Sequence, residues 1–174
     1  MILYPKIIFN KVEEINIEFL NKNKLKALIL DVDNTLIDTD KNLSDNVVKW
    51  ARELKGQGVK LCILSNSHRV KKVKKVAEKL NIENYLYFAK KPFKKGFIKI
   101  QKILNMKPEN IGVVGDQIFT DIWGGNRCNM FTILVEPIDK KDIWITKIKR
   151  PLEEVIKNKY RKSLTKEKSK KKGK

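Results

Sequence analysis

A short apolar segment that ends in two carboxylates constrains the fold of this chain more than any other feature. Residues 27–30 are Ala-Leu-Ile-Leu, and Asp31, Asp33 and Thr35 follow directly. Four consecutive apolar residues suit a parallel strand that is covered on both faces, and such sheets bind ligands beyond the carboxyl ends of their strands. Two carboxylates on one face of extended chain repel each other unless a cation or a proton lies between them. The segment therefore predicts a buried parallel strand that leads into a metal site.

A second acidic cluster has the same design. Residues 111–115 form another short apolar run that ends in glycine, Asp116 follows it, and Asp121 lies five residues further on. If the two strands are neighbours, four carboxylates meet at one edge of the sheet. Hard oxygen ligands that face a phosphate favour magnesium, which completes its octahedron with water and phosphate oxygens. We therefore expect Mg²⁺ as the cofactor.

Two further segments carry groups that can bind a phosphoryl group. The predicted strand 59–64 ends in Ser65 and Asn66 ahead of a helical segment, so that hydroxyl and backbone donors would face an anion at the start of the helix. The predicted strand 85–89 ends in Lys90-Lys91-Pro92. One lysine at that position can neutralise a phosphoryl group.

These four segments, in this order, resemble the haloacid dehalogenase-like (HAD) phosphatases over residues 27–135. The motifs are Asp-x-Asp-x-Thr, a strand-terminal Ser, Lys-Pro and Gly-Asp-x-x-x-x-Asp. More narrowly, Asp-Asn-Thr-Leu, Ser-Asn-Ser and Ala-Lys-Lys-Pro resemble the subfamily IIIA, YqeG-type proteins, which are related to phosphatidylglycerophosphate phosphatases. The most specific string is residues 115–127, Gly-Asp-Gln-x-x-Thr-Asp-x-x-Gly-Gly-Asn-Arg.

The resemblance implies a role for each motif residue. Asp31 would be the nucleophile that forms an aspartyl-phosphate, and Asp33 would be the acid/base. The phosphoryl group would be bound by Thr35, Ser65, Asn66 and Lys91. Magnesium would be held by Asp31, the backbone carbonyl of Asp33, and Asp116, with Asp121 nearby.

The expected fold class is α/β, a doubly wound parallel sheet of the HAD (Rossmannoid) type without a cap domain. Residues 36–64 and 66–90 are each long enough for only one helix and one strand. HAD relatives insert their caps in these two gaps, so we expect an open site that suits a phosphate on a large substrate. The predicted strands are 27–31, 59–64, 85–89, 111–115 and 131–135, and the predicted helices are 44–56, 68–80, 94–104, 121–128 and 151–161.

The positions of the motifs and predicted elements divide the chain into three parts. We expect residues 1–26 to be an N-terminal segment that packs on the core, 27–162 to be the phosphatase domain, and 163–174 to be a disordered lysine-rich tail. The tail is too poor in apolar residues to bury a core. Residues 151–161 form an amphipathic stripe that either covers the edge of the sheet or contacts a membrane.

The charge of the chain bears on its substrate. There are 39 basic and 20 acidic residues, for a net charge of +19. Such a surface attracts anionic lipid headgroups or nucleic acid, and charge alone does not choose between them. The favoured substrate is phosphatidylglycerophosphate at a membrane. The alternatives are a soluble or nucleic-acid phosphate and, in another class, a basic protein that binds RNA or ribosomes.

The expected location is cytoplasmic, with peripheral contact at the inner face of the membrane left open. No segment approaches the ~20 apolar residues of a spanning helix, and no signal peptide is evident. Nothing in the sequence bears on the oligomeric state.

Overall fold

The computed structural model describes residues 2–139 and 154–162, and within them the predicted doubly wound α/β fold is confirmed. Six strands form one sheet in the order β1-β6-β5-β2-β3-β4, and every neighbouring pair is parallel. The strands are β1 (Ile7–Phe9), β2 (Ala27–Leu30), β3 (Lys60–Leu64), β4 (Tyr85–Leu86), β5 (Ile111–Gly115) and β6 (Phe131–Val135).

Helices cover both faces of the sheet. They are α1 (Ile17–Lys22), α2 (Asp45–Gly56), α3 (Val70–Lys79), α4 (Lys94–Leu104), a π-helical turn (Ile118–Ile122) that continues into α5 (Trp123–Arg127), and α6 over residues 154–162. Among the described residues, no helix is both long and apolar enough to cross a bilayer. Residues 36–64 and 66–90 are fully described and contain no inserted domain.

The central strand β2 is apolar on both faces, so both faces of the sheet have to be covered. All four of its residues are buried, and successive side chains alternate between two hydrophobic clusters. Leu28 and Leu30 pack in the cluster that contains apolar residues of α2 and α3, whereas Ala27 and Ile29 pack in the cluster that contains apolar residues of α4. The period-two alternation of a strand therefore places one helical layer on each side.

The N-terminal segment contributes a strand that the sequence did not predict. Residues 7–9 pair in parallel with β6 and extend the sheet by one strand at its edge. The prediction of five strands is therefore one short. A three-residue strand with no alternation of buried and exposed positions carries no periodic signal, and its pairing depends on the free edge of β6.

The predicted strand 85–89 is wrong beyond Leu86. The chain leaves the sheet after this residue, and Phe88 and Lys90 adopt left-handed backbone conformations with φ of 50° and 53°. An apolar run of this length reads as a strand, but two left-handed residues cannot lie in one. The segment is instead the loop that carries Lys91.

The described part of the C-terminal helix packs against the sheet edge. Ile156 and Tyr160 of α6 are buried, and the Tyr160 hydroxyl donates a hydrogen bond to the Lys6 carbonyl oxygen at 2.9 Å. Lys157 forms an ion pair with Glu136 at 2.9 Å. This helix covers the edge formed by β1 and β6, as one of the two alternatives expected. Residues 151–153 and the lysine-rich segment 163–174 lie outside the described residues.

The packing of α5 on α4 generates a test of the fold. A Cβ atom added at Gly124 would lie 2.5 and 2.6 Å from ring atoms of the fully buried Phe97. We expect Gly124→Ala to lower the free energy of unfolding by about 1–3 kcal/mol, because the overpacked ring has nowhere to move. Chemical denaturation measures this change.

The matched control is Gly56→Ala at the end of α2, where an added Cβ meets nothing within 4 Å. Its free energy of unfolding should stay the same or rise slightly, since alanine favours helix. Equal stabilities of the two variants would contradict the close approach of α5 to Phe97.

Candidate active site

Two neighbouring strands deliver their carboxylates to the same point at the edge of the sheet. The strands β2 and β5 pair in parallel, with Leu30 opposite Val114. The backbone N–H of Asp31 continues this ladder by donating to the Val114 carbonyl oxygen at 2.9 Å. Asp31 and Asp116 therefore follow adjacent strand ends, as the parallel-sheet prediction requires.

A third carboxylate reaches the same point from the π-helical turn. Asp31, Asp116 and Asp121 are all buried, and each offers an oxygen within 4.8 Å of the others. A Cβ atom at Gly115 would collide with the Asp121 carboxyl group, so only glycine at the end of β5 permits this approach. The three residues form a compact buried set of hard oxygen donors.

Lys91 lies inside this acidic set. Its Nζ is 2.7 Å from Asp31 Oδ1 and 2.6 Å from Asp121 Oδ1, and the residue is only 7% exposed. Asn66 holds the lysine's backbone from both sides, because its Oδ1 accepts from the Lys91 N–H at 2.6 Å and its Nδ2 donates to the Lys91 carbonyl at 3.1 Å. The Asn66 amide, expected at the phosphate, is thus engaged in positioning Lys91.

Within the described part of the chain, the three buried carboxyl groups have only Lys91 as a buried cation among them. Burial is the main reason that the pKa of Asp31 is raised to about 6; Lys91 acts to lower it and Asp121 to raise it. Burial, together with Asp31 and Asp121, also raises the pKa of Asp116 well above its usual range. For Lys91, burial lowers the pKa, but Asp121 and Asp31 outweigh burial and leave it raised. Three carboxylates share one ammonium, and this set fits a divalent cation that prefers oxygen ligands.

Asp33 lies outside the acidic triad and has a partner that the sequence did not predict. Lys72, in the first turn of α3, places its Nζ 2.5 and 2.7 Å from the two carboxylate oxygens of Asp33. None of the sequence motifs includes Lys72. The position of Lys72 could have indicated this contact. It lies in the first turn of the helix that follows Ser65, and this helix begins at the same edge of the sheet.

Two hydroxyl residues complete the predicted set. The buried Thr35 hydroxyl donates to Asp116 Oδ1 at 3.4 Å. Ser65, which follows β3, is fully buried, and its Oγ accepts from the Ser67 N–H at 3.1 Å. Thr35 is thereby in contact with the acidic triad, whereas Ser65 is joined to the segment that leads into α3.

The site opens into a cleft of about 440 Å³ that mixes acids with cations. Besides residues of the predicted site, the cleft is lined by three cationic side chains, which are Lys41, Arg69 and Lys72. A cleft that places carboxylates beside cations suits an anionic substrate that meets a metal ion.

Comparisons with known proteins agree with this arrangement. The family model described as mitochondrial PGP phosphatase matches residues 1–139. The chain is 38% identical over 140 residues to Bacillus subtilis "Probable phosphatase YqeG", and the match covers 80% of each chain.

Two solved structures are similar in fold. A protein from Listeria monocytogenes is 21% identical with a TM-score of 0.55, and the match covers 68% of this chain and 85% of that one. A Vibrio cholerae protein, described as a 3-deoxy-D-manno-octulosonate 8-phosphate phosphatase, is 15% identical with a TM-score of 0.52, and covers 68% and 79%.

The unbalanced charge of the triad predicts an unusual effect of Asp116→Asn. Without metal, this variant should unfold at a higher temperature, because it removes a carboxyl group whose charged form is disfavoured by burial, Asp31 and Asp121, and it keeps both partners of Lys91. A gain of ~1 kcal/mol corresponds to about 2–4 °C for a chain of this size. Added MgCl₂ should raise the melting temperature of the wild type and have little effect on the variant.

The control is Asp45→Asn, which removes an exposed carboxylate from the first turn of α2. This variant should be slightly less stable than the wild type, since the carboxylate favours the helix N-terminus, and it should keep the full response to MgCl₂. An Asp116→Asn protein with the wild-type response would remove Asp116 from the metal site.

Proposed function

Because the chain belongs to the PGP phosphatase family, as a YqeG-type phosphatase of the HAD class, we propose that it hydrolyses phosphatidylglycerophosphate with the help of magnesium. The observation that carries the proposal is the meeting of Asp31 with Lys91, Asp116 and Asp121 at one edge of the sheet. This arrangement supplies a nucleophile, a cation for the phosphoryl oxygens and ligands for a metal.

In the proposed first step, a carboxylate oxygen of Asp31 attacks phosphorus and the bond to the leaving alcohol breaks. The phosphoryl oxygens accept hydrogen bonds from Lys91, Thr35 and Ser65, which spread the charge of the transition state. Asp33 gives a proton to the departing oxygen. An aspartyl-phosphate on Asp31 remains.

In the second step, Asp33 takes a proton from water, the water oxygen attacks phosphorus, and the bond to Asp31 breaks. Inorganic phosphate leaves and the enzyme returns to its starting state, so that the two displacements divide one difficult reaction into two easier ones. When bound, magnesium neutralises negative charge on the transferred group. Its proposed ligands are Asp31, Asp116 and the backbone carbonyl of Asp33, with Asp121 close by.

We assign Lys72 a positioning role in this reaction. Its two contacts hold the Asp33 carboxylate away from the triad, in the cleft that both residues line. Lys72 therefore keeps the acid/base in place without belonging to the metal site.

The choice of a lipid substrate rests on three supports. The family model carries the PGP phosphatase description, no domain is inserted in the two described gaps that could cap the cleft, and the chain has a net charge of +19. An uncapped, basic surface can meet a phosphate that is embedded in an anionic bilayer. A location in the cytoplasm, at the inner face of the membrane, is part of the same proposal.

Two substitutions test the mechanism. Asp31→Asn should remove turnover, since a neutral amide does not attack phosphorus, and acid quenching should trap no phosphoenzyme. Asp33→Asn should lower kcat by about 10²–10⁴-fold, with the largest loss for the poorest leaving groups. Asp40→Asn, at an exposed position in the same loop, should behave as wild type. A folded Asp31→Asn protein with near-normal activity would contradict the proposed nucleophile.

A substrate panel tests the rest of the proposal. Purified protein should hydrolyse phosphatidylglycerophosphate in vesicles with a higher kcat/KM than sugar phosphates or phosphorylated oligonucleotides. Excess chelator should stop the reaction and magnesium should restore it, because the buried carboxylates then lack their counter-charge. A preference for oligonucleotides would favour the nucleic-acid alternative, for which the basic surface is the supporting observation. Full activity in chelator would rule out the proposed metal site.

A further inference from the structure

The loop that carries Lys91 inward turns large aromatic side chains outward. Phe88 is 45% exposed and Phe93 is 64% exposed, while Lys91 between them is 7% exposed. Tyr87 is exposed as well. An exposed aromatic cluster within a few residues of a buried site residue needs an explanation other than core packing.

Phe88 holds its exposed position despite an unfavourable backbone. Its φ of 50° is in the left-handed region, which bulky residues rarely adopt. Its ring packs on His68 with centroids 4.2 Å apart, and its N–H donates to the Ser67 carbonyl oxygen at 3.0 Å. Ser67 and Arg69 line the cleft, so the aromatic loop borders the mouth of the site.

The segment that carries these aromatic residues is rich in lysine and has no acidic residue of its own. Between Glu83 and Glu109 the sequence has seven lysines and no acidic residue. Lys94 and Lys95 occupy the first turn of α4, where the helix dipole favours acids and disfavours cations. The placement of these lysines therefore opposes the stability of their own helix, and an anion outside the protein would explain it.

We propose that the surface formed by Phe88, Lys90, Phe93, Lys94 and Lys95 docks the protein onto an anionic lipid bilayer and turns the cleft toward it. The inference rests on the proposed lipid substrate and deepens it by naming the surface. Aromatic rings favour the interfacial layer of a bilayer, and lysines reach the headgroup phosphates from there. A nucleic acid offers the anionic charge but no apolar layer for exposed rings.

The other amphipathic element serves a different purpose. Ile156 and Tyr160 of α6 point into the protein, and Tyr4 packs edge-on against the Tyr160 ring at 5.6 Å. The described part of this helix thus uses Ile156 and Tyr160 inside the fold, whereas Val155 is exposed. The aromatic loop beside Lys91 instead leaves its apolar side chains exposed.

The test uses the full chain and the double variant Phe88→Asn/Phe93→Ser. Asparagine tolerates the left-handed backbone, and serine at the N-cap of α4 adds a cap that Phe93 does not supply, so the fold should survive. Co-sedimentation is measured with phosphatidylcholine vesicles that contain or lack phosphatidylglycerol. We expect the variant to bind the anionic vesicles on the order of tenfold more weakly than the wild type.

Matched controls lie at the other end of α4. Ile103→Gln removes an apolar side chain of similar exposure and should bind as wild type. The charge variant Lys94→Gln/Lys95→Gln should lose binding, whereas Lys99→Gln/Lys102→Gln, which removes the same charge further along the helix, should lose much less. Hydrolysis of soluble p-nitrophenyl phosphate should stay unchanged in all of these variants.

The outcomes separate this inference from the proposed function. If the aromatic and lysine variants bind vesicles as tightly as their controls, or if the wild type does not bind anionic vesicles, the docking surface is wrong even when lipid phosphate is hydrolysed. If the variants lose affinity for an oligonucleotide but not for vesicles, the surface binds nucleic acid instead. If the wild type docks but hydrolyses no lipid phosphate, the docking surface stands and the proposed substrate fails.

Discussion

The pairing of Lys91 with Asp31 and Asp121 is the interaction on which the site depends. A buried ammonium and buried carboxylates are each costly to remove from water, and each is tolerated here because the others are present. The lysine has only two of the three carboxylates as partners, so the set keeps a negative excess. That excess makes the site suited to a metal ion and to the phosphoryl group that such an ion would attract.

The sheet explains how groups from distant parts of the chain meet in this small space. Parallel pairing of β2 with β5 brings Asp31 beside Asp116, and the bare Cα of Gly115 lets Asp121 close the triad. Lys91 arrives from the other side, held at its backbone by Asn66. Because each contact comes from a strand end or from the loop beyond it, the rigid core sets the geometry and the loops supply the chemistry.

The loop that carries Lys91 also carries the exposed aromatic residues of the proposed docking surface. The segment around Lys91 leaves the sheet after Leu86, turns through two left-handed residues and exposes Phe88 and Phe93 beside the cleft. If the substrate is a lipid headgroup, as proposed, catalysis and docking have to be within reach of one another. A single loop that carries the buried cation and the exposed rings meets this requirement, with no domain inserted in either of the two described gaps.

The sequence by itself determined the fold class and predicted most of the residues that meet at the candidate site. Apolar runs that end in Asp31, Ser65 and Asp116 predict strands, and parallel strands place such residues at one edge whatever the details of packing. Only the tertiary structure decided the rest. The edge strand β1 forms by pairing with β6. The Asn66 amide bonds to the backbone of Lys91, and Lys72 contacts Asp33, which is 39 residues away in the sequence. Periodicity encodes which face of an element is buried, but the partners of a polar side chain depend on which elements become neighbours in three dimensions.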